Sequence, residues 1–400
     1  MRKSLLALAL AGLYVGGANA ATPTTEEMWV IIQQQQAEIQ RLQSAQQATD
    51  NKVEATVDAV ENGSLSNVAD WVSKTSFGGY GELHYNNLED NTATADKDAL
   101  DLHRFVLFFG HQFNDDVRFF SEFEIEHSIA GEGKAGEVEV EQAFIEWDIS
   151  ANQTAKAGVF LVPVGILNET HEPDSFYGTE RNPVEKNIIP STWWEGGVAI
   201  NGELAAGLSY DVAVHSGLKI DVADGDYKVR DGRQKVGKAK ADNAAFTGRL
   251  KYTGIQGLEL AATLHHQVDL AQSAHTTELD ATLLETHAIY KNGPLQVRAL
   301  YATWDIDSAM DALKEGADKQ QGFYFEPSYM ISEKLGVFAR YNQWDNQAGS
   351  SNNTEYKQLD FGVNYWLTPT VVFKADYQNQ NAPTGKTELD GLNLGVGWSF

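Results

Sequence analysis

Between Pro163 and Gly197 the chain reads PVGILNETHEPDSFYGTERNPVEKNIIPSTWWEGG, about thirty residues without the period of a strand or a helix. Structureless runs of that length inside a compact domain are functional or disordered. This one carries Phe176, Tyr177, Ile188, Ile189, Trp193 and Trp194, too much apolar surface for a solvated linker. A long, sticky loop between strand-like segments needs a surface to pack on. The reading that provides one is a loop folded into the bore of a β-barrel, narrowing it.

The flanking sequence supplies that barrel. Phe119, Ser121, Phe123 and Ile125 alternate with Arg118, Phe120, Glu122, Glu124 and Glu126. Leu392, Leu394, Val396, Trp398 and Phe400 alternate with Gly391, Asn393, Gly395, Gly397 and Ser399. One face is apolar and the other polar, charged or glycine, a pattern that fits a soluble sandwich as well as a membrane barrel. The connections separate the two. Sixteen strand-like segments run from 77–87 to 390–400, about 10–13 residues each, long enough to cross a bilayer at a tilt. Short turns such as Asn114-Asp115, Asn292-Gly293-Pro294 and Thr368-Pro369-Thr370 follow even segments. Long polar loops, among them 88–100, 217–242, 306–318 and 346–354, follow odd ones. Long loops gathered at one end are the layout of an outer-membrane barrel. Trp147, Trp304, Trp344, Tyr365, Trp366 and Trp398, near segment ends, are expected to form its interfacial girdles.

The amino terminus is an address followed by a different kind of segment. Met1–Ala20 has Arg2 and Lys3, an apolar run from Leu5 to Val15, and Ala18-Asn19-Ala20, the pattern of a secretory signal peptide. Within residues 21–62, steps of four and three from Met28 through Ile32, Gln35, Ile39, Leu42, Gln46, Thr49, Val53 and Thr56 to Val60 mark the seam of a periplasmic coiled coil. A trimer is the first choice, and a solvated Gln-rich spacer is the alternative. Residues 63–76 are read as a linker and 77–400 as the barrel. The expected fold class is all-β: a 16-stranded antiparallel transmembrane β-barrel with an inward-folded third loop, preceded by a short N-terminal coiled-coil helix.

Composition excludes several functions. A net charge of −26 disfavours nucleic acid, and the absence of cysteine removes thiol chemistry. No metal, cofactor or catalytic group is expected. His265-His266 lack ligand spacing, Asp224-Gly225-Asp226 with Asp231 lacks the twelve-residue calcium pattern, and Gly78-Gly79-Tyr80-Gly81 lies within a strand.

SFGGYGELHY at 76–85, HRFVLFFGHQFNDDVRFFSEFEIEH at 103–127 and FYGTERNPVEKNIIPSTWWEGG at 176–197 resemble bacterial porins of the phosphate-selective O/P type. The N-terminal coiled coil is similar to that of dicarboxylate-uptake relatives. The resemblance implies a homotrimeric outer-membrane porin whose third outside loop enters the pore. Its partners would be membrane lipid, small hydrophilic solutes and, through the coiled coil, a cell-wall or periplasmic component.

The inward face then carries Arg104, Arg118, Arg249, Arg298, Arg340 and Lys374, with Glu122 and Glu124 beside them. On the loop, Arg181 and Lys186 are read as eyelet cations, Glu180 and Glu185 as their neighbours and Tyr177 as an anchor or greasy wall; Arg118, Arg298 and Arg340 are expected opposite. An arginine's planar fork suits a carboxylate or phosphate in transit. Both charge signs are present, so anion preference, cation preference and general diffusion stay open, as does a wetted lumen of paired charges. A barrel lipase or protease would need a Ser/His/Asn or Asp/His set at one rim. A tether or adhesin would need sticky outer loops and a plugged bore.

Overall fold

The computed structural model describes residues 25–62, 64–91, 96–222, 227–274, 277–307 and 314–400, and the chain divides into two units at Ser73. In the first unit α1 spans Thr25–Asn62 and α2 spans Ser64–Ser73. Trp29, Ile32, Ile39, Leu42 and Val53 are exposed along α1. The expected signal peptide and Asp224-Gly225-Asp226 lie outside the described residues, as do the side chains of Met28, Thr56 and Val60. The linker expected over 63–76 is instead largely helical. Leu65, Val68, Trp71 and Val72 recur at steps of three and four, a helical pattern that the flanking serines disguise.

The second unit is a closed barrel of sixteen strands: β1 (Thr75–Asp90), β2 (Lys97–Gln112), β3 (Val117–Glu126), β4 (Val138–Ser150), β5 (Gln153–Leu161), β6 (Trp194–Ala205), β7 (Leu208–His215), β8 (Ala245–Ile255), β9 (Leu258–Gln267), β10 (Ala281–Asn292), β11 (Leu295–Ile306), β12 (Lys319–Met330), β13 (Leu335–Asp345), β14 (Tyr356–Thr368), β15 (Val371–Asn381) and β16 (Leu389–Ser399). Each strand pairs antiparallel with its sequence neighbours, and β1 closes on β16. Links after even strands have two to four residues, and those after odd strands six or more. The last rung joins Gly79 N–H to Phe400 O (3.0 Å) and Phe400 N–H to Gly79 O (2.9 Å), so no edge remains to recruit another chain.

Outward side chains such as Phe77, Phe123, Trp147, Val198, Leu264, Tyr329 and Phe373 are exposed around the wall. Such a belt is stable against lipid and costly against water. Two of the register shifts in the sheet fall in mid-strand as β-bulges, in β2 and β4, and break the inward–outward alternation there. Arg104 faces Glu82 while Leu102 faces Leu83, leaving His103 as an extra residue; Gln142 faces Glu122 while Val140 faces Phe123, leaving Glu141 extra. A bulge re-aims side chains locally. His103 thereby stacks on inward-facing His84 (centroids 4.5 Å apart), and Glu141 is buried inside.

The apolar core lies inside the bore. Ala281, Leu283, Leu300, Trp304, Ile306 and Tyr324 on the inner wall pack with Val162, Phe176, Ile188, Ile189 and Trp193 of the β5–β6 loop (162–193, hereafter L3). Leu218, Ile220 and Val229 of the β7–β8 loop (216–244, L4) and Leu270 and Leu279 of the β9–β10 loop join them. The expected polar inner face is thus apolar along part of β10–β12. Trp304, Trp344 and Trp366 are corrected from girdle to interior. Trp304 is fully buried, Trp344 stacks on Tyr356 at 5.1 Å, and Trp366 Nε1 donates to Asp174 O at 3.4 Å. Trp304 shares parity with inward Arg298, so alternation already assigns it to the bore.

Candidate pore constriction

L3 carries many backbone carbonyls into the barrel, and buried carbonyls need donors. The wall supplies them from the residues expected to line the pore. Arg104 donates to His171 O (2.7 Å), Arg298 to Ser175 O (2.9 Å) and Lys374 to Gly178 O (2.9 Å), its ammonium also lying 3.6 Å from the centre of the Phe176 ring. Arg340 reaches Tyr177 O at 3.3 Å while paired with Glu326 (3.2 Å) and Asp360 (3.0 Å). Arg249 pairs with Asp211 at 2.8 Å and with Glu169 of L3. Arg118 pairs with Asp148 at 2.7 Å and with Glu146, beside the β2–β3 turn and away from the loop. Arg298 and Arg340 therefore clamp L3 and do not stand as a wall opposite Arg181. Glu122 and Glu124 are buried as well, and Arg104 is neutralised by Glu82 at 2.6 Å.

Within L3, Glu185 is a hub rather than a lumen charge. It is fully buried in the short helix α3 (Val184–Asn187) and accepts hydrogen bonds from Ile166 N (2.8 Å), Leu167 N (2.6 Å), Asn182 Nδ2 (3.1 Å) and Tyr324 OH (2.9 Å). Gly165 makes this possible, with φ +72° and a position where a Cβ would stand 2.6 Å from Glu185 Oε2. Asn168 ties the loop base by donating to Val162 O (2.8 Å) and Trp193 O (2.9 Å) and accepting from Trp193 N (2.7 Å). Tyr177 is buried against Phe338 and Trp366, ring centres 5.5 Å apart in each pair.

What remains open is a cavity of about 650 Å³, lined by L3, L4, the β1–β4 wall and the β14–β16 wall. Arg181, Glu180 and Lys186 are among its lining residues. Glu180 accepts from Asn86 Nδ2 (3.0 Å) and pairs with His84 (3.3 Å). Arg230 and Arg233 of L4, invisible to strand alternation, join Arg181 and Lys186. Arg181 donates to Thr192 Oγ1 (2.7 Å), Arg230 to Lys186 O (2.9 Å) and Ser191 O (2.8 Å), and Arg233 to Thr192 O (2.7 Å). None of these four cations is in an ion pair among the described residues. Neutral acceptors hold the three guanidiniums in place without cancelling their charge. Glu124, Glu126, Glu139 and Glu141 line the same cavity. Lys235 of L4 pairs with Glu137 (2.6 Å) and Glu139. Burial works to lower the pKa of Lys235, but the two carboxylates outweigh it and hold it above its ordinary value. The sequence signal for L4 was its cluster Lys228, Arg230, Arg233 and Lys235 between apolar Val222 and Val229 and the next strand.

A family model described as Gram-negative porin matches residues 45–385. A protein of Aquifex aeolicus (strain VF5), described as uncharacterized, is 31% identical over 356 residues, covering 81% of this chain and 80% of its own. The fold is similar to the anion-selective porin from Comamonas acidovorans, with a TM-score of 0.58, 11% identity and coverage of 82% of this chain and 99% of that one. It is also similar to the outer membrane channel DcaP of Acinetobacter baumannii, with a TM-score of 0.56, 14% identity and coverage of 82% and 97%. At those identities the likeness speaks for the fold alone. The sixteen-stranded closed barrel narrowed by its third loop, and a family match spanning most of the chain, lead to one conclusion: the chain belongs to the Gram-negative porin family of outer-membrane channels.

Proposed function

We propose that this porin passes small hydrophilic solutes by diffusion, with a preference for anions such as phosphate or small carboxylates, and works as a homotrimer. One observation carries the preference: among the described residues Arg181, Lys186, Arg230 and Arg233 face the cavity without carboxylate partners, while the wall arginines are spent on L3 or paired. Fixed charge in a narrow bore selects the opposite sign. The chain's overall −26 does not bear on this, because acidic groups elsewhere are screened within about 8–10 Å at physiological salt. Kinship with the phosphate-selective and dicarboxylate porins, and a periplasmic role for α1, belong to the same proposal. It describes a conduit, without a catalytic step.

The test is planar-bilayer conductance of the refolded protein, with the reversal potential read in a KCl gradient. Steps in multiples of three with chloride favoured are expected. A second reading, cation preference, is favoured by Glu126 and Glu139 on the same cavity; potassium selectivity in that gradient would establish it and reject the first. A folded barrel that conducts nothing would remove the channel reading.

A further inference from the structure

Beneath L3, three side chains converge that take no part in the loop clamp: His171 of L3, Glu122 of β3 and Glu141 of β4, the last also lining the cavity. His171 Nε2 lies 3.3 Å from Glu122 Oε1 and 3.6 Å from Glu141 Oε2. An ion with bonds of about 2.0–2.1 Å in tetrahedral geometry needs ligand separations of roughly 3.3–3.5 Å. The other imidazole nitrogen, Nδ1, lies 3.0 Å from Asn168 O. Donation there turns the Nε2 lone pair toward the two carboxylates, the orientation of a metal-bound imidazole. Glu122 is itself oriented by Gln142 Nε2 (2.7 Å) and the Tyr80 hydroxyl (3.4 Å).

Two independent observations ask for a cation at this point. Glu141 is 2% exposed, yet its Oε2 has no hydrogen-bond partner among the described residues. A buried, unsatisfied carboxylate oxygen is costly. Arg104 and His84 serve Glu82 at 2.6 and 3.1 Å, and Arg104 reaches Glu124 only at 4.0 Å. Among the described residues, Glu122 and Glu141 thus lack a permanently charged partner within ion-pair distance. The bulge at Glu141 is the device that turns this side chain inward.

The geometry points to a divalent-cation site of the zinc class, formed by Glu122, Glu141 and His171, that clips L3 to the β3–β4 wall. Water completes the coordination, and the ion enters past Glu141, the one ligand that lines the cavity. The competing account is a doubly protonated His171 bridging both carboxylates with no ion.

The experiment is titration of zinc chloride, and separately of cobalt chloride, into full-length refolded protein stripped with EDTA. One zinc per chain is expected, with a visible absorption from four- or five-coordinate cobalt. Glu141→Gln and His171→Gln should each weaken uptake more than tenfold and abolish the cobalt band, whereas Glu333→Gln in the exposed β12–β13 turn should change neither. Heat-modifiable migration in gels establishes that each variant is folded. No stoichiometric uptake by a folded barrel, or uptake by the two ligand variants equal to that of the wild type, would overturn the assignment. Because the readout is bound metal, its failure is separable from a failure of the channel reading.

Discussion

Replacing Glu185 by alanine removes one carboxylate from four donors buried in L3 and the wall: Ile166 N, Leu167 N, Asn182 Nδ2 and Tyr324 OH. The two backbone N–H groups cannot rotate to new partners, and each buried donor left unsatisfied costs about 1–3 kcal/mol. Water entering the vacated space recovers part of the loss, which leaves about 3 kcal/mol as the working figure. The barrel wall itself is untouched, so the loss falls on docking of L3. At about 1.4 kcal/mol per tenfold, the population of released loop should rise roughly a hundredfold. Trypsin reads this directly. Arg181 and Lys186 offer cleavage sites, but a protease cannot follow them into the bore unless the loop leaves it. Where opening is fast relative to cleavage, the cutting rate tracks the open population. Glu185→Gln, which keeps one acceptor oxygen, should raise cutting by roughly tenfold, on the cost of about one unmet donor. A Glu185→Ala barrel that migrates as folded, is cut at the wild-type rate and conducts with wild-type noise would refute the hub.

Exchanging both Arg230 and Arg233 for serine should lower the chloride-to-potassium permeability ratio, read from the reversal potential. A unit charge about 6 Å from the permeation path in a water-like dielectric contributes about 0.7 kcal/mol, roughly threefold per residue. Trp304→Ala should leave a cavity in the packed interior and cost about 3–5 kcal/mol, seen as a lower unfolding temperature with conductance of larger amplitude and more noise. A peptide of residues 21–62 should sediment as a helical trimer, and Ile39→Asp should reduce it to an unfolded monomer by placing a charge on the seam.

Strand existence, order and turn side were legible because the barrel repeats one local rule: alternation along a strand and a short turn after every second one. Each strand of that pattern needs only its neighbours, so residues near in sequence determine it. The third loop was legible from its length and its tryptophans. Helix α2 is disguised by its serines, which have the composition of a linker, and Trp304, Trp344 and Trp366 lie near strand ends as girdle residues do while their parity turns them into the bore.

The charges divide along a different line. Alternation correctly turns Arg104, Arg298, Arg340 and Lys374 inward, but a side chain facing inward meets either water or the loop. Only the folded path of L3 decides which, since its carbonyls arrive from sixty to two hundred residues away in sequence. Glu185 is hidden for the same reason, and Arg230 and Arg233 enter the cavity only because the apolar residues of L4 carry that loop inward. Glu141 lies on the wrong parity until a bulge, a property of two strands together, moves it. The sequence by itself determined the barrel, because alternation is local and repeated. The tertiary structure decided which charges solutes meet, because that depends on which buried carbonyls and carboxylates claim each cation first.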